Sequence, residues 1–372
     1  MKVLIVRTDR LGDMVLSLPV FEDIKTARPD WEVQAMVAPG SVPLVENDPH
    51  IDSVWTWTGD ETEQELADLE DRLRREAFDA VVILQYRLEL ARLMKRVGIS
   101  KRFGPLSKGS SWFLLNRGSW QSRSRGRRHE MEHNLALARR LTGGWLNQFR
   151  SENRDFPEPR LHLTEGQKEI GQEFRRTEAQ GAEKVVFVHP GSGGSALDWE
   201  PARFSAVANV LARRPGWRVF VTGSASDSAT VAAVATYLNQ GVDVLLDRFS
   251  LREFLGILSA GDLFIGPSTG PLHIAAAVGC ATVGLFPPVV TMSPDRWGPR
   301  GRLSRALVPD VACPARRICL EEKCLLYNCM TRIFDDQVLE TALEVVHRKE
   351  TEDGMTAGSV AAPADSRSRL EE

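Results

Sequence analysis

Three short stretches carry groups able to do chemistry. The first is Arg7-Thr8-Asp9-Arg10-Leu11-Gly12-Asp13, a polar turn between the apolar run Val3-Leu4-Ile5-Val6 and an amphipathic run. A buried parallel strand, a tight loop and a helix fit that order. Asp13 then sits near a strand's carboxyl end, where open α/β sheets bind ligands. A carboxylate there can act as a general base. It can equally do no more than complement a helix's first turn, worth about 0.3–1 kcal/mol.

The other two stretches are glycine-rich turns. His189-Pro190-Gly191-Ser192-Gly193-Gly194-Ser195 follows the strand pattern Lys184–Val188 and precedes a helix carrying Phe204, Val207 and Leu211. Glycines there let backbone amides approach an anion, and a helix amino terminus adds favourable potential. The second turn is Gly266-Pro267-Ser268-Thr269-Gly270-Pro271-Leu272-His273. Ser268 or Thr269 can cap the helix that follows, and Pro271 fits its first turn. His273, one turn in, can bond the loop or a ligand, or serve as a buried structural histidine. Neither turn is a dinucleotide fingerprint or a Walker loop, and each alone is compatible with a plain connection. Together they fit a diphosphate better than a single phosphate.

Late in the chain Cys313, Cys319, Cys324 and Cys329 are spaced C-x5-C-x4-C-x4-C, whereas Cys280 stands alone. The spacing is no recognised zinc pattern, yet four thiolates this near can close a structural tetrahedral site. The competing reading is a set of reduced thiols packing the crossover between domains.

The elements that must hold these groups alternate strand and helix, the pattern of a parallel sheet covered on both faces. After the opening unit, strands are expected at Trp31–Val37, Ile51–Trp57 and Ala80–Leu84, with a helix over Glu61–Glu76. A further helix spans His129–Leu141, closed by Gly143-Gly144, and Ser151–Pro159 reads as the linker. A second series has a helix at Gln167–Gln180 and strands at Lys184–Val188, Arg218–Gly223, Val242–Leu246 and Asp262–Gly266. Ala281–Phe286 is its last clear strand, and Asp335–Lys349 forms a closing helix. Four segments result: a first Rossmann-like domain at 1–160, a second at 161–334, the helix at 335–349, and a polar tail at 350–372 expected to be disordered.

At 372 residues the chain is long enough for two cores, and a net charge of −3 gives no general bias toward nucleic acid. The amino terminus has neither a signal peptide's nor a membrane span's pattern, so a cytoplasmic protein is expected. Between Arg92 and Arg128, however, lysines and arginines occur without one acidic residue, and Trp112, Phe113, Leu114, Leu115 and Trp120 lie among them. This is either a solvated surface loop or a cationic, partly apolar lip for an anionic, lipid-linked partner. No nucleic-acid module is recognised there, and no nucleic-acid partner is expected.

The segments RTDRLGDMVLSLP, HPGSGGSALDWEPARF, SLREFLGILSAGDLFIGPSTGPLHIAAAVG and LFPPVVTMSPDRWGP, in that order, resemble glycosyltransferase family 9. These are the ADP-heptose:lipopolysaccharide heptosyltransferases and their relatives, and the resemblance runs from Met1 to about Lys349. It implies the α/β GT-B fold, two facing Rossmann-like domains with the acceptor on the first and a nucleotide sugar on the second. It also implies inverting transfer without a catalytic metal or cofactor, and a glycolipid acceptor of lipopolysaccharide-core type at the cytoplasmic face of the inner membrane. By the same resemblance Asp13 matches the catalytic base. The donor set becomes Gly191, Ser192, Thr222, Gly223, Ser268, Thr269, Gly270, Pro271 and His273, and the acceptor set Arg10, Gly12, Arg123 and Arg125.

Two positions depart from the family pattern. Leu197 replaces a lysine two residues before Trp199, leaving Arg203 or Arg296 to supply that charge, and Ser268 replaces an aspartate. A sugar-nucleotide or glycolipid binding protein without turnover is the alternative these changes keep open. A nicotinamide-dependent oxidoreductase is disfavoured, because the first strand leads into Arg7–Gly12 and not into G-x-G-x-x-G.

Overall fold

A strand apolar on both faces must lie inside a sheet, and β1 (Lys2–Arg7) does: every residue after Lys2 is buried. Val3 and Ile5 enter one apolar cluster and Leu4 and Val6 another on the opposite face. The computed structural model describes residues 1–143, 158–194, 196–315 and 317–359, with side chains to 352. In the first half, β2 (Glu32–Val37), β3 (Ser53–Thr56), β4 (Ala80–Ile83), β5 (Lys101–Pro105) and β6 (Arg117–Ser119) join β1 in a parallel sheet ordered β3-β2-β1-β4-β5-β6. Its helices are α1 (Leu11–Val15), α2 (Leu18–Ala27), α3 (Glu63–Glu76), α4 (Leu88–Val97), α5 (Ser111–Leu114) and α6 (Glu130–Thr142).

The second half repeats the plan. Strands β7 (Lys184–Val188), β8 (Trp217–Gly223), β9 (Val242–Leu246), β10 (Leu263–Pro267), β11 (Ala281–Leu285) and β12 (Ser304–Leu307) form a parallel sheet ordered β12-β11-β10-β7-β8-β9. Between and after them come α7 (Glu165–Thr177), α8 (Pro201–Ala212), α9 (Ser228–Ala235), α10 (Leu251–Ser259), α11 (Gly270–Ala277), α12 (Pro294–Trp297) and α13 (Asp335–Ser359). Counted within each half, both sheets have the doubly wound order 3-2-1-4-5-6, whose ligand crevice lies where the winding reverses, beside the first strand. Asp13 follows β1, the first glycine turn follows β7, and the second follows β10.

The sequence pattern missed several elements for a common reason. The basic stretch from Arg92 to Arg128 is not one loop: it holds most of α4 together with β5, α5 and β6. Lys101 and Arg117 are exposed at the starts of β5 and of the edge strand β6, so charged residues hide both short strands from a hydrophobicity reading. β12, beyond the expected last strand, is likewise only partly buried. The final helix continues past Lys349 to Ser359, while 360–372 lie outside the described residues, as do 151–157 of the expected linker and Gly144.

The halves meet closely. One apolar cluster runs from Val3, Ile5 and Phe21 in the first to Phe187, Phe264 and Ile274 in the second. The amino-terminal turns of α1 and α11 abut: a Cβ on Gly12 would lie 2.8 Å from His273 Cδ2, and one on Gly270 would lie 3.0 Å from Leu11 Cβ. Glycine at both positions is what allows the approach. Arg252 of the second half donates to Glu46 of the first (2.7 Å). Among the described residues, no helix is long and apolar enough to cross a membrane.

Candidate active site

The facing strand ends enclose a cleft of about 630 Å³ lined from both domains. That lies within the roughly 300–1,000 Å³ of small-molecule sites. Arg10, Leu11, Gly12 and Asp13 form one wall; Gly191, Ser192, Thr222, Gly223, Ser268, Thr269, Gly270, Pro271 and His273 form much of the other. The cleft therefore brings together every expected donor residue and, of the expected acceptor set, Arg10 and Gly12. Arg123 and Arg125 are not among its lining residues. Arg125 is exposed, whereas the Arg123 guanidinium is committed to Glu130 and to the Leu84 carbonyl (2.7 Å).

Asp13 is held by a buried charge network. Arg7, the last residue of β1, has a side chain only 1% exposed, and it donates through Nη2 to Asp13 Oδ1 and through Nε to Asp9 Oδ1 (2.6 Å). Its Nη1 reaches Glu130 Oε1 (3.2 Å) and Asn134 Oδ1 (3.3 Å) on α6. Burial opposes the charge on Arg7, but Asp9, Asp13 and Glu130 outweigh it and raise its proton affinity. Glu130 is buried too, yet Arg123, Arg7 and Arg296 hold it down at about 2. Asp13 behaves differently. Burial pushes its carboxyl up to about 6; Arg7 opposes the rise, and Asp9 and Glu130 add to it. An arginine keeps the carboxylate oriented while desolvation keeps it basic, the tuning a general base near neutral pH requires.

The opposite wall has the features of an anion site. Gly191 is required by packing, because a Cβ there would meet Asp227 Oδ1 at 2.2 Å. Asp227 in turn accepts from the Ser224 amide (2.9 Å) and hydroxyl (2.6 Å), fixing the end of β8 beside the first turn. His189 is pushed down to about 4 by burial, against the pull of Asp227, and shares a 3.1 Å hydrogen bond with Thr222. In the second turn Thr269 is the N-cap residue of α11 without a side-chain capping bond. Thr269 Oγ1 and His273 Nδ1 are buried with no hydrogen-bond partner in the protein. Burial also holds His273 at about 4, so its ring is neutral at physiological pH. Two orphaned polar atoms at a helix amino terminus invite a ligand carrying acceptors and donors.

Some cleft residues were not among the expected site residues. Asp247, Phe249, Leu251 and Phe254 follow β9, and Thr291, Met292 and Trp297 follow β11. Extending the strand-end rule to every strand would have found them. Arg296, one of the two arginines offered in place of the absent lysine, lines the cleft and lies 3.5 Å from Glu130 Oε2. Arg203 instead donates to Asp335 (2.9 Å). Leu197 packs against the second domain's core beside the late cysteines, away from the cleft lining.

The model of glycosyltransferase family 9 (heptosyltransferase) matches residues 66–325. A Haemophilus influenzae protein bearing the name glycosyltransferase is 28% identical over 306 residues, covering 80% of this chain and 86% of that protein. Lipopolysaccharide heptosyltransferase 1 of Pseudomonas aeruginosa is 25% identical, with 87% of each chain covered. The structure of E. coli ADP-heptose lipopolysaccharide heptosyltransferase II superposes with a TM-score of 0.76 at 20% identity, over 94% of this chain and 100% of that one, which shows the same GT-B fold. With the family match spanning most of its length, the chain belongs to glycosyltransferase family 9 and is an enzyme that transfers sugar.

Proposed function

We propose that this enzyme moves a heptose or closely related sugar from a nucleotide diphosphate, of ADP-heptose type, to a lipopolysaccharide-core or similar glycolipid, with inversion and without a metal in the catalytic step. The observation that carries the reading is the placement of Asp13, with its raised proton affinity, across one cleft from two phosphate-ready turns. The acceptor hydroxyl loses its proton to Asp13 as its oxygen attacks the anomeric carbon. The bond from that carbon to the diphosphate oxygen breaks on the far side. Charge growing on the departing diphosphate meets the free amides of α11, the Thr269 hydroxyl and the Arg296 guanidinium. Phe249 and Phe254 offer an apolar wall for the base of the nucleotide. The names of the relatives, lipopolysaccharide heptosyltransferases among them, support the substrate class.

Peripheral attachment to the cytoplasmic face of the inner membrane belongs to the same proposal. Trp112, Phe113 and Trp120 are 64%, 79% and 67% exposed, beside Lys108 and Arg117, which are exposed as well. Basic residues with interfacial aromatics favour an anionic lipid surface. Such a surface would deliver a lipid-linked acceptor to the first domain.

The test is thermal stabilisation by ADP-, GDP- and UDP-sugars, followed by transfer to a lipopolysaccharide-core acceptor. A larger shift with ADP-heptose and release of ADP with acceptor present support the proposal. Equal shifts with all three nucleotides overturn the donor assignment, and binding without transfer supports the non-turnover alternative.

A further inference from the structure

The 27 residues between β12 and α13 contain, where described, only two short 3₁₀ turns, Glu321–Lys323 and Cys329–Arg332. A segment of that length without regular structure is uncommon in a compact domain. Apolar burial holds only its end, where Met330 and Ile333 enter the second domain's core, since Leu325 is fully exposed and Ile318 is 77% exposed. What the segment does concentrate is sulfur. Cys313, Cys319, Cys324 and Cys329 all line one cavity of about 10 Å³, roughly the room of a single water-sized sphere. None of the four is in a disulfide. The other lining residues named there are apolar apart from Tyr327, so a water would find few of the two to four polar partners it needs. Soft metals take thiolates in such surroundings. Cys319 Sγ also accepts a hydrogen bond from the Glu321 amide (3.3 Å), the kind of contact that favours a thiolate.

We propose that these four cysteines bind one soft divalent ion, zinc or ferrous iron, in a tetrahedral all-thiolate site that cross-links the segment on itself beside the wall of the cleft. On binding, the thiols release their protons to solvent and four metal–sulfur bonds form, with no change of oxidation state. Among the described residues, the group of potential ligand atoms lying within 4.8 Å of one another is Asp48, His50 and His162, so the sulfurs stand wider than in a closed site. Binding draws them to about 3.8 Å apart, as metal–sulfur bonds of about 2.3 Å require. The link to the cleft is direct. Val289 lines the cysteine cavity, Thr291 and Met292 line the cleft, and the Thr291 hydroxyl donates to the Arg317 carbonyl (2.5 Å).

Metal analysis of the purified full chain tests this. One zinc or iron per chain is expected, released in step with thiol modification, lost in the double variant Cys324→Ser/Cys329→Ser and kept in Cys280→Ser. Should the double variant fail to fold, wild-type protein stripped by a chelator is titrated with cobalt(II), whose uptake should give intense tetrahedral thiolate bands at one equivalent. Retention of the metal in a folded double variant, two disulfides in protein purified under reducing conditions, or neither bound metal nor cobalt uptake overturns the proposal. These readouts do not depend on the donor or acceptor assignment.

Discussion

Replacing Arg7 with glutamine reads directly on the electrostatics of Asp13. In the native protein, burial raises the Asp13 carboxyl to about 6 against the opposing pull of Arg7. A hydrogen bond to a charged group is worth about 1.5–3 kcal/mol, and one pKa unit corresponds to about 1.4 kcal/mol, so losing Arg7 should lift Asp13 by about one to two units. In the proposed mechanism the deprotonated carboxylate is the active form. The rate of the native enzyme should therefore fall below about pH 6, and the variant's acid limb should move up to about pH 7–8. At pH 7 the variant should turn over about two- to tenfold more slowly, recovering by about pH 9. Arg7 also pairs with Asp9 and Glu130, and breaking a buried pair costs about 3–5 kcal/mol. The pH profile of kcat/KM is accordingly measured well below the variant's thermal midpoint, with Arg7→Lys as the charge-conserving companion. An acid limb unmoved in a folded Arg7→Gln protein would refute the account of how Asp13 is tuned.

The same buried groups fix the response to acid and to ligand. His129, His133, His189 and His273 are all held below their ordinary value, by burial first, at about 3, 4, 4 and 4. Below about pH 6.5 the unfolded chain takes up protons that the folded one refuses, so each histidine should remove about 1.4 kcal/mol of stability per pH unit down to its folded value. Asp13, raised in the fold, works in the opposite sense between about 6 and its ordinary value of 3.8 and offsets one histidine of the four. A thermal midpoint that stays level from pH 7 to pH 5 would contradict this. Thr269→Val should weaken ADP binding by about 0.5–1.5 kcal/mol, a two- to twelvefold rise in Kd by calorimetry. An unchanged Kd would show that the orphaned hydroxyl does not meet the ligand.

Strand-to-loop transitions carried most of what the sequence revealed. Val3–Val6, Val185–Val188 and Leu263–Gly266 are apolar on both faces, which only an interior strand tolerates, and the turn after each one lines the cleft. β6 and β12 escaped because edge strands need no continuous apolar run, and β5, paired on both sides, because it opens with the charged Lys101 and Arg102. The partners of Asp13 escaped for another reason. Arg7 and Glu130 are 123 positions apart in the chain, and nothing local marks them as neighbours. His129 is a similar case: its Nδ1 accepts from the Met131 amide (3.3 Å), which leaves Nε2 to donate to the Gly298 carbonyl of the other domain (2.8 Å). Such long-range pairs depend on how the two domains dock.

The central claim is that Asp13 removes the proton from the acceptor while the opposite domain holds the donor. Asp13→Asn keeps the size of the side chain and removes its basicity, and Asp13 makes no contact that the donor turns require. Measured together, transfer turnover should fall by about 10²- to 10⁴-fold while the Kd for ADP stays within about twofold, well under the shift that loss of one hydrogen bond gives. Turnover at the native rate in the folded variant would contradict the claim.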